Sequence, residues 1–174
     1  MKYRYCIALL LASSTYAADW FPTQVTADGK PSEYRPLERA SKPWRICVLL
    51  PHGKDKYGWG VGWGLQEEGK RLGVKLGVYQ AGGYENLSTQ QKQFQSCLNQ
   101  KAAAIVLAAI SADGLNNEIK QALAAGVPVV DLVNGVNSPL VSAKSLVNFA
   151  DMSTAASLYI LEKATGKPIK LAWF

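Results

Sequence analysis

The sequence predicts an α/β fold: a parallel sheet with helices on both faces. Three observations carry that prediction. From Trp44 onward, short apolar runs alternate with amphipathic segments. Residues 103–108 are continuously apolar, as expected of a strand buried on both faces. Gly73, Gly126 and Gly166 follow amphipathic segments, where helices commonly stop. Strands alternating with helices imply a parallel sheet, and right-handed crossovers leave few topologies for it.

The elements follow in order. Residues 44–50 are an apolar run stopped by Pro51 and read as a strand. Residues 59–72 carry Val61, Leu65 and Leu72 at helical spacing. Residues 75–80 read as a second strand, and Gly82-Gly83 as a loop. Ser88-Thr89-Gln90-Gln91 has the pattern of a capping box opening a helix to about Gln100, with Phe94, Cys97 and Leu98 on one face. After the third strand, residues 114–125 place Leu115, Ile119 and Leu123 four apart. Residues 127–133 read as a fourth strand, with Pro128 tolerable near its start. A short fifth strand is expected within 141–149. A helix capped by Asp151 or Ser153 follows to Thr165, and a last strand over 169–174.

The 174 residues are 48% apolar and 18% charged, enough for one domain with a buried core. His52 is the one histidine and there are three cysteines, which excludes a multi-histidine site or a four-cysteine zinc site within the chain. No cofactor or metal is expected. The net charge of +6 is modest and no basic run of five occurs, so nothing points to nucleic acid.

Residues 1–17 have the layout of a secretory signal peptide: Lys2 and Arg4, an apolar run over 7–12, then Thr15-Tyr16-Ala17 before a cut at Ala18. The run is shorter than the ~20 residues a membrane span needs, and no later segment is long enough either. Cleavage leaves Cys47 and Cys97. In an oxidising compartment an even pair suggests a disulfide; two buried thiols are the other reading. Residues 18–43 read as an extended N-terminal arm with Pro22, Pro31, Pro36 and Pro43, a turn at Asp28-Gly29, and Trp20 and Phe21 as candidate anchors.

In a parallel sheet, ligands bind outside the carboxyl ends of the strands. That rule selects the loops 51–58, 81–86, 109–114 and 134–140, and the segment near Asn148 and Phe149. The first two bring three aromatics, Tyr57, Trp59 and Tyr84, and one carboxylate, Asp55, to one rim. Aromatic faces attract ligand cations and stack on sugar rings. An equal reading is that Tyr57 and Trp59 cover the sheet and Asp55 caps a helix. Gly58, Gly60, Gly62 and Gly64 fit neither a dinucleotide fingerprint nor a P-loop, and read as permitting close packing. No nucleophile stands beside His52, and Cys97 lies on an apolar helix face, so the sequence reads as a binding protein and not an enzyme.

The residues also carry a resemblance. Cys47 before Pro51, Lys54-Asp55-x-Tyr57, Gly64-x-Gln66-Glu67, Ala81-Gly82-Gly83-Tyr84, Thr89-Gln90-Gln91, Cys97, Ala104-Ile105-x-Leu107 and Pro128-Val129-x-x-Leu132-Val133-Asn134 resemble the first lobe of periplasmic binding proteins of the LacI/ribose-binding-like family. More narrowly, they resemble the periplasmic trimethylamine-N-oxide sensor accessory proteins (TorT type). The resemblance implies a type I periplasmic binding protein first lobe over 44–166, with 167–174 beginning a second lobe that the chain lacks. It implies a periplasmic location, a small-molecule ligand like trimethylamine-N-oxide, and the periplasmic domain of a membrane sensor histidine kinase as partner. Asp55, Tyr57 and Tyr84 match the family's ligand cage. Gly58 stands where the family has Trp, with Trp59 one place later, and Phe149 stands at a later Trp position. Asn134 is a further polar candidate at a strand end. Other expectations are a sugar-type solute-binding protein of a transporter, or a non-binding interaction fragment.

Overall fold

The computed structural model describes residues 21–164 together with 166, 168 and 170. The chain divides after Glu38 into two compact units. In the first, β1 (Thr23–Ala27) and β2 (Lys30–Tyr34) form an antiparallel hairpin where the sequence reads an extended arm. Asp28 (φ 50°) and Gly29 (φ 76°) are both left-handed, the sense of turn whose twist matches paired strands. Phe21 packs edge-to-face on Tyr34 within this hairpin, ring centroids 5.9 Å apart. Residues 1–17 and Trp20 lie outside the described residues.

The second unit holds β3 (Arg45–Leu50), α1 (Lys56–Leu72), β4 (Lys75–Gln80), α2 (Leu87–Asn99), β5 (Ala104–Leu107), α3 (Asn116–Ala124), β6 (Val129–Val133), β7 (Ala143–Leu146) and α4 (Phe149–Ala164). The sheet order is β4-β3-β5-β6-β7 and every pairing is parallel. Helices cover both faces because side chains alternate along each strand. Val48 and Leu50 of β3 pack against Val61 and Leu65 of α1. Cys47 and Leu49 face the other way, into a core with Phe94 of α2, Ile119 of α3, and Ile105 and Leu107 of β5. A disulfide joins Cys47 to Cys97 across that core, Cα atoms 6.2 Å apart.

Several helix starts differ from the sequence reading. α1 begins at Lys56, because the Asp55 side chain accepts the Gly58 N–H. Ser88 caps nothing: α2 already begins at Leu87, and the Gln91 amide instead donates to Gly114 O, 2.8 Å away. α4 is opened by Asn148, whose Oδ1 accepts the Asp151 N–H at 3.1 Å, ahead of the expected Asp151 or Ser153. The alternating glycines split between two sides of α1. A Cβ at Gly62 would sit 3.6 Å from Leu50, in contact with the sheet, whereas Gly60 and Gly64 face open space. No residue of α4 is buried. The strand expected over 169–174 lies outside the described residues.

Candidate functional site

In the parallel sheet, β3 connects leftward to β4 through α1 on one face, and β4 returns rightward to β5 through α2 on the other. The strand order reverses between β3 and β5, and the loops part at their carboxyl ends, which opens a crevice. A shallow concavity of about 40 Å³ lies there. Leu50, Val61 and Ala108 form its apolar floor, and His52, Asp55, Tyr57, Tyr84 and Asn134 its rim. A larger hollow of about 160 Å³ sits at the amino ends of the strands, by Arg45, Lys75 and Gly77, and holds none of the sequence-predicted ligand residues.

The rim is tied together by short polar contacts. Lys54 Nζ donates to Gly82 O at 2.5 Å, and the Gly53 N–H to Gln80 Oε1 at 3.0 Å, fastening the loop after β3 to the end of β4. The His52 and Tyr84 rings meet edge-on at 5.5 Å. Asn134 Nδ2 donates to Ala109 O at 2.8 Å and to Tyr84 Oη at 3.2 Å. Gln90, fully buried, holds the end of β5 by donating to Ala108 O and accepting from the Ile110 N–H, both at 2.9 Å.

Four of the sequence-predicted residues therefore meet: Asp55, Tyr57, Tyr84 and Asn134. Asp55 combines both readings made of it, since it caps α1 through Oδ1 at 2.6 Å and lines the rim. Two predicted residues do not join them. Trp59 stacks on Trp63 one turn along α1, centroids 6.4 Å apart and rings 13° from parallel, because one residue past Gly58 turns ~100° around a helix. Phe149 is the exposed first residue of α4 and does not line the concavity. Gly58 itself admits no side chain here: a Cβ would stand 2.6 Å from His52 O. The sequence reading did not select the apolar floor of Leu50, Val61 and Ala108 as ligand-facing, and it passed over His52 and Val133 among others. His52 follows Pro51 at a strand end, which was the available signal; Val133 carried none beyond the neighbouring Gly135. Among the described residues, no three His, Cys, Asp or Glu side chains are grouped to hold a metal.

The comparisons place this fold in a family. The model of the periplasmic binding protein domain matches residues 46–174, and the chain belongs to that family of binding proteins. Its sheet and helices are those of a type I periplasmic binding protein lobe. The chain is 36% identical over 133 residues to periplasmic protein TorT of Escherichia coli (strain K12), covering 76% of this chain and 38% of that one. It thus spans less than two fifths of the curated relatives it matches. Among solved structures, an ABC transporter solute binding protein from Bradyrhizobium sp. BTAi1 with bound Bis-Tris is 46% identical, with TM-score 0.74, over 84% of this chain and 46% of that one. A TorS sensor domain–TorT complex without ligand is 31% identical, TM-score 0.64, over 69% of this chain and 42% of that one. A glucose-bound solute binding protein from Clostridium phytofermentans, 22% identical with TM-score 0.65 over 72% of this chain and 39% of that one, shares the fold. No helix among the described residues is long and apolar enough to cross a membrane.

Proposed function

We propose that this chain supplies one wall of the ligand site of a periplasmic receptor for trimethylamine-N-oxide or a related small amine oxide. On this reading it reports occupancy to the periplasmic domain of a membrane sensor histidine kinase. The supporting observation is the meeting of Asp55, Tyr57, Tyr84 and Asn134 in one concavity at the strand ends. Aromatic faces attract a methylated cationic head, and a carboxylate at the rim adds negative potential. Tyr84 Oη accepts from Asn134 and keeps its own hydrogen to donate to an oxide oxygen. The Cys47–Cys97 disulfide suits an oxidising compartment, and residues 1–17 serve as the signal that delivers the chain there. The TorT relationship supports the sensor partner.

A second reading, solute capture for a transporter, is favoured by the Bradyrhizobium protein at 46% identity. Bis-Tris is a hydroxylated tertiary amine, so the two readings differ in hydroxyl recognition as well as in partner. Small-ligand pockets usually bury ~70–90% of their ligand, and an open wall buries far less. Binding to this chain alone is expected to be millimolar or weaker. Nuclear magnetic resonance titration of the ¹⁵N-labelled chain tests it, with trimethylamine-N-oxide, Bis-Tris and glucose added separately. Selective shifts at Tyr84 and Asn134 with trimethylamine-N-oxide support the sensor reading. A response to Bis-Tris or glucose alone replaces it with the transport reading, and no response to any of the three rejects the wall as a ligand surface.

A further inference from the structure

The carboxylate of Asp131 is fully buried, in a strand whose other core-facing residues are apolar. Burying a charge is unfavourable unless it is paired and hydrogen-bonded, so a carboxylate retained at such a place needs a task. Its Oδ2 accepts the Val136 N–H at 2.8 Å. Lys144 Nζ, on the neighbouring β7, lies 3.8 Å from the same oxygen and donates to Val136 O at 2.8 Å. Both backbone polar groups of Val136 are thereby held, and its side chain is buried in the core. Asp131 Oδ1 has no hydrogen-bond partner among the described residues.

Between Asp131 and Val136 the chain makes an unfavourable reversal. The Asn134 N–H donates to Leu132 O at 2.8 Å, closing a three-residue turn around Val133. Val133 has φ 68° and Gly135 has φ 88°. A three-residue turn of positive φ is the rare and strained kind, and a β-branched residue is poorly suited to it. Such a conformation persists only where its surroundings over-determine it. We infer that Asp131 is a positioning residue: with Lys144 it clamps Val136, holds the strained Val133 turn, and so fixes Asn134 against Ala109 and Tyr84 at the rim. The ligand consequence rests on the proposed reading of the concavity, whereas the clamp itself stands without any ligand.

The test uses the full ¹⁵N-labelled chain, amide hydrogen exchange and the Asn134 side-chain resonances. Asp131→Leu keeps the core apolar and removes the acceptor. The expected result is that Val136 exchange rises by more than about tenfold, the scale of a lost hydrogen bond to a charged group, while Ile105 and Leu107 stay protected. The Asn134 amide resonances then move toward those of an unbonded side chain. Asp131→Asn, which keeps an acceptor oxygen, is expected to retain the native signature. Adding Val133→Gly to Asp131→Leu relieves the turn and is expected to restore the Asn134 resonances. Lys144→Met, on the exposed edge strand, releases Val136 O without touching the core, and is expected to shift Asn134 the same way even if Asp131→Leu fails to fold. Unchanged Val136 and Asn134 signals in Asp131→Leu and Lys144→Met overturn the inference. So does an equal loss of protection across the core in Asp131→Leu with no local change in Lys144→Met. Trimethylamine-N-oxide added to parent and Asp131→Leu gives the ligand arm: a weaker response in the variant is expected. Silence in the parent rejects the ligand reading and leaves the clamp to the exchange data.

Discussion

Helices α2 and α4 make opposite use of apolar residues. α2 is largely polar, yet it buries Gln90, Phe94 and Cys97 and is bonded covalently to β3. α4 is richer in apolar residues, yet none is buried, and Met152, Leu158, Tyr159 and Leu161 are each more than half exposed. The difference is arrangement. In α2 the buried positions recur at four and three residues and form one stripe toward the sheet, as an amphipathic helix requires. In α4 residues 158–161 are consecutive apolar positions and surround the axis, so no single face is defined. Apolar content alone does not place a helix; it needs a stripe and a surface that receives it.

The strongest way to break that comparison is truncation in both helices. Phe94→Ala removes a fully buried ring and is expected to destabilise the chain by ~3–5 kcal/mol in urea unfolding. Leu158→Ala is expected to change it by less than about 0.5 kcal/mol, as exposed sites do. Equal effects would mean that α4 is packed in solution. Next in size is the cross-link. The disulfide spans 50 positions, and replacing Cys47 and Cys97 together by Ala is expected to lower stability by ~2–4 kcal/mol, checked against the parent under non-reducing conditions.

Caps sharpen the contrast at smaller scale. Asp55→Ala is expected to remove ~1 kcal/mol by freeing the first turn of α1, while Asp55→Asn, which caps equally well, is near neutral. A ligand response lost in Asp55→Asn would therefore report on the carboxylate and not on the helix. Asn148→Ala, at the start of the unpacked α4, is expected to leave the urea midpoint unchanged. The smallest effect belongs to Glu68, whose carboxyl is held below its usual range by the hydrogen bond from Arg71, against a little desolvation. A lowered carboxylate stabilises above its unfolded pKa, and that stabilisation disappears as pH falls through the folded value. Because the pair is largely solvated, Glu68→Gln is expected to shift the acid unfolding curve only slightly.

The central strands were readable because burial on both faces leaves continuous apolar runs, as in residues 103–108, whereas the exposed β1 and β2 were not. α2 was readable because its stripe is regular; at α3 Leu115 and Ile119 are buried, but Leu123, expected on the same face, is 55% exposed and Ala122 is buried instead. The disulfide was readable as a pair of cysteines. Caps were less so: Ser88 and Ser153 are good capping residues, but the direction of the entering chain decides, and Asn86 and Asn148 precede the helices instead. Asp55, Tyr57 and Tyr84 were legible from the rule about strand ends. Trp59 was not, because loop position says nothing of azimuth until the helix start is known, and the start moved back to Lys56. The turn at Val133 left no trace, since a valine in a valine-rich strand gives no hint of positive φ.

The sulfur bridge also divides the concavity by chain topology. Residues 48–96 lie inside the ring closed by Cys47 and Cys97, and they include Asp55, Tyr57 and Tyr84; Asn134 lies outside it. A peptide bond broken within the ring, at the exposed Lys54 or Lys56 for instance, opens the ring and leaves the molecule in one covalent piece. A bond broken between Leu98 and Val133 sets free a fragment that carries Asn134. The aromatic side of the rim survives a cut backbone as a tethered unit, whereas the amide side is held by noncovalent contacts alone.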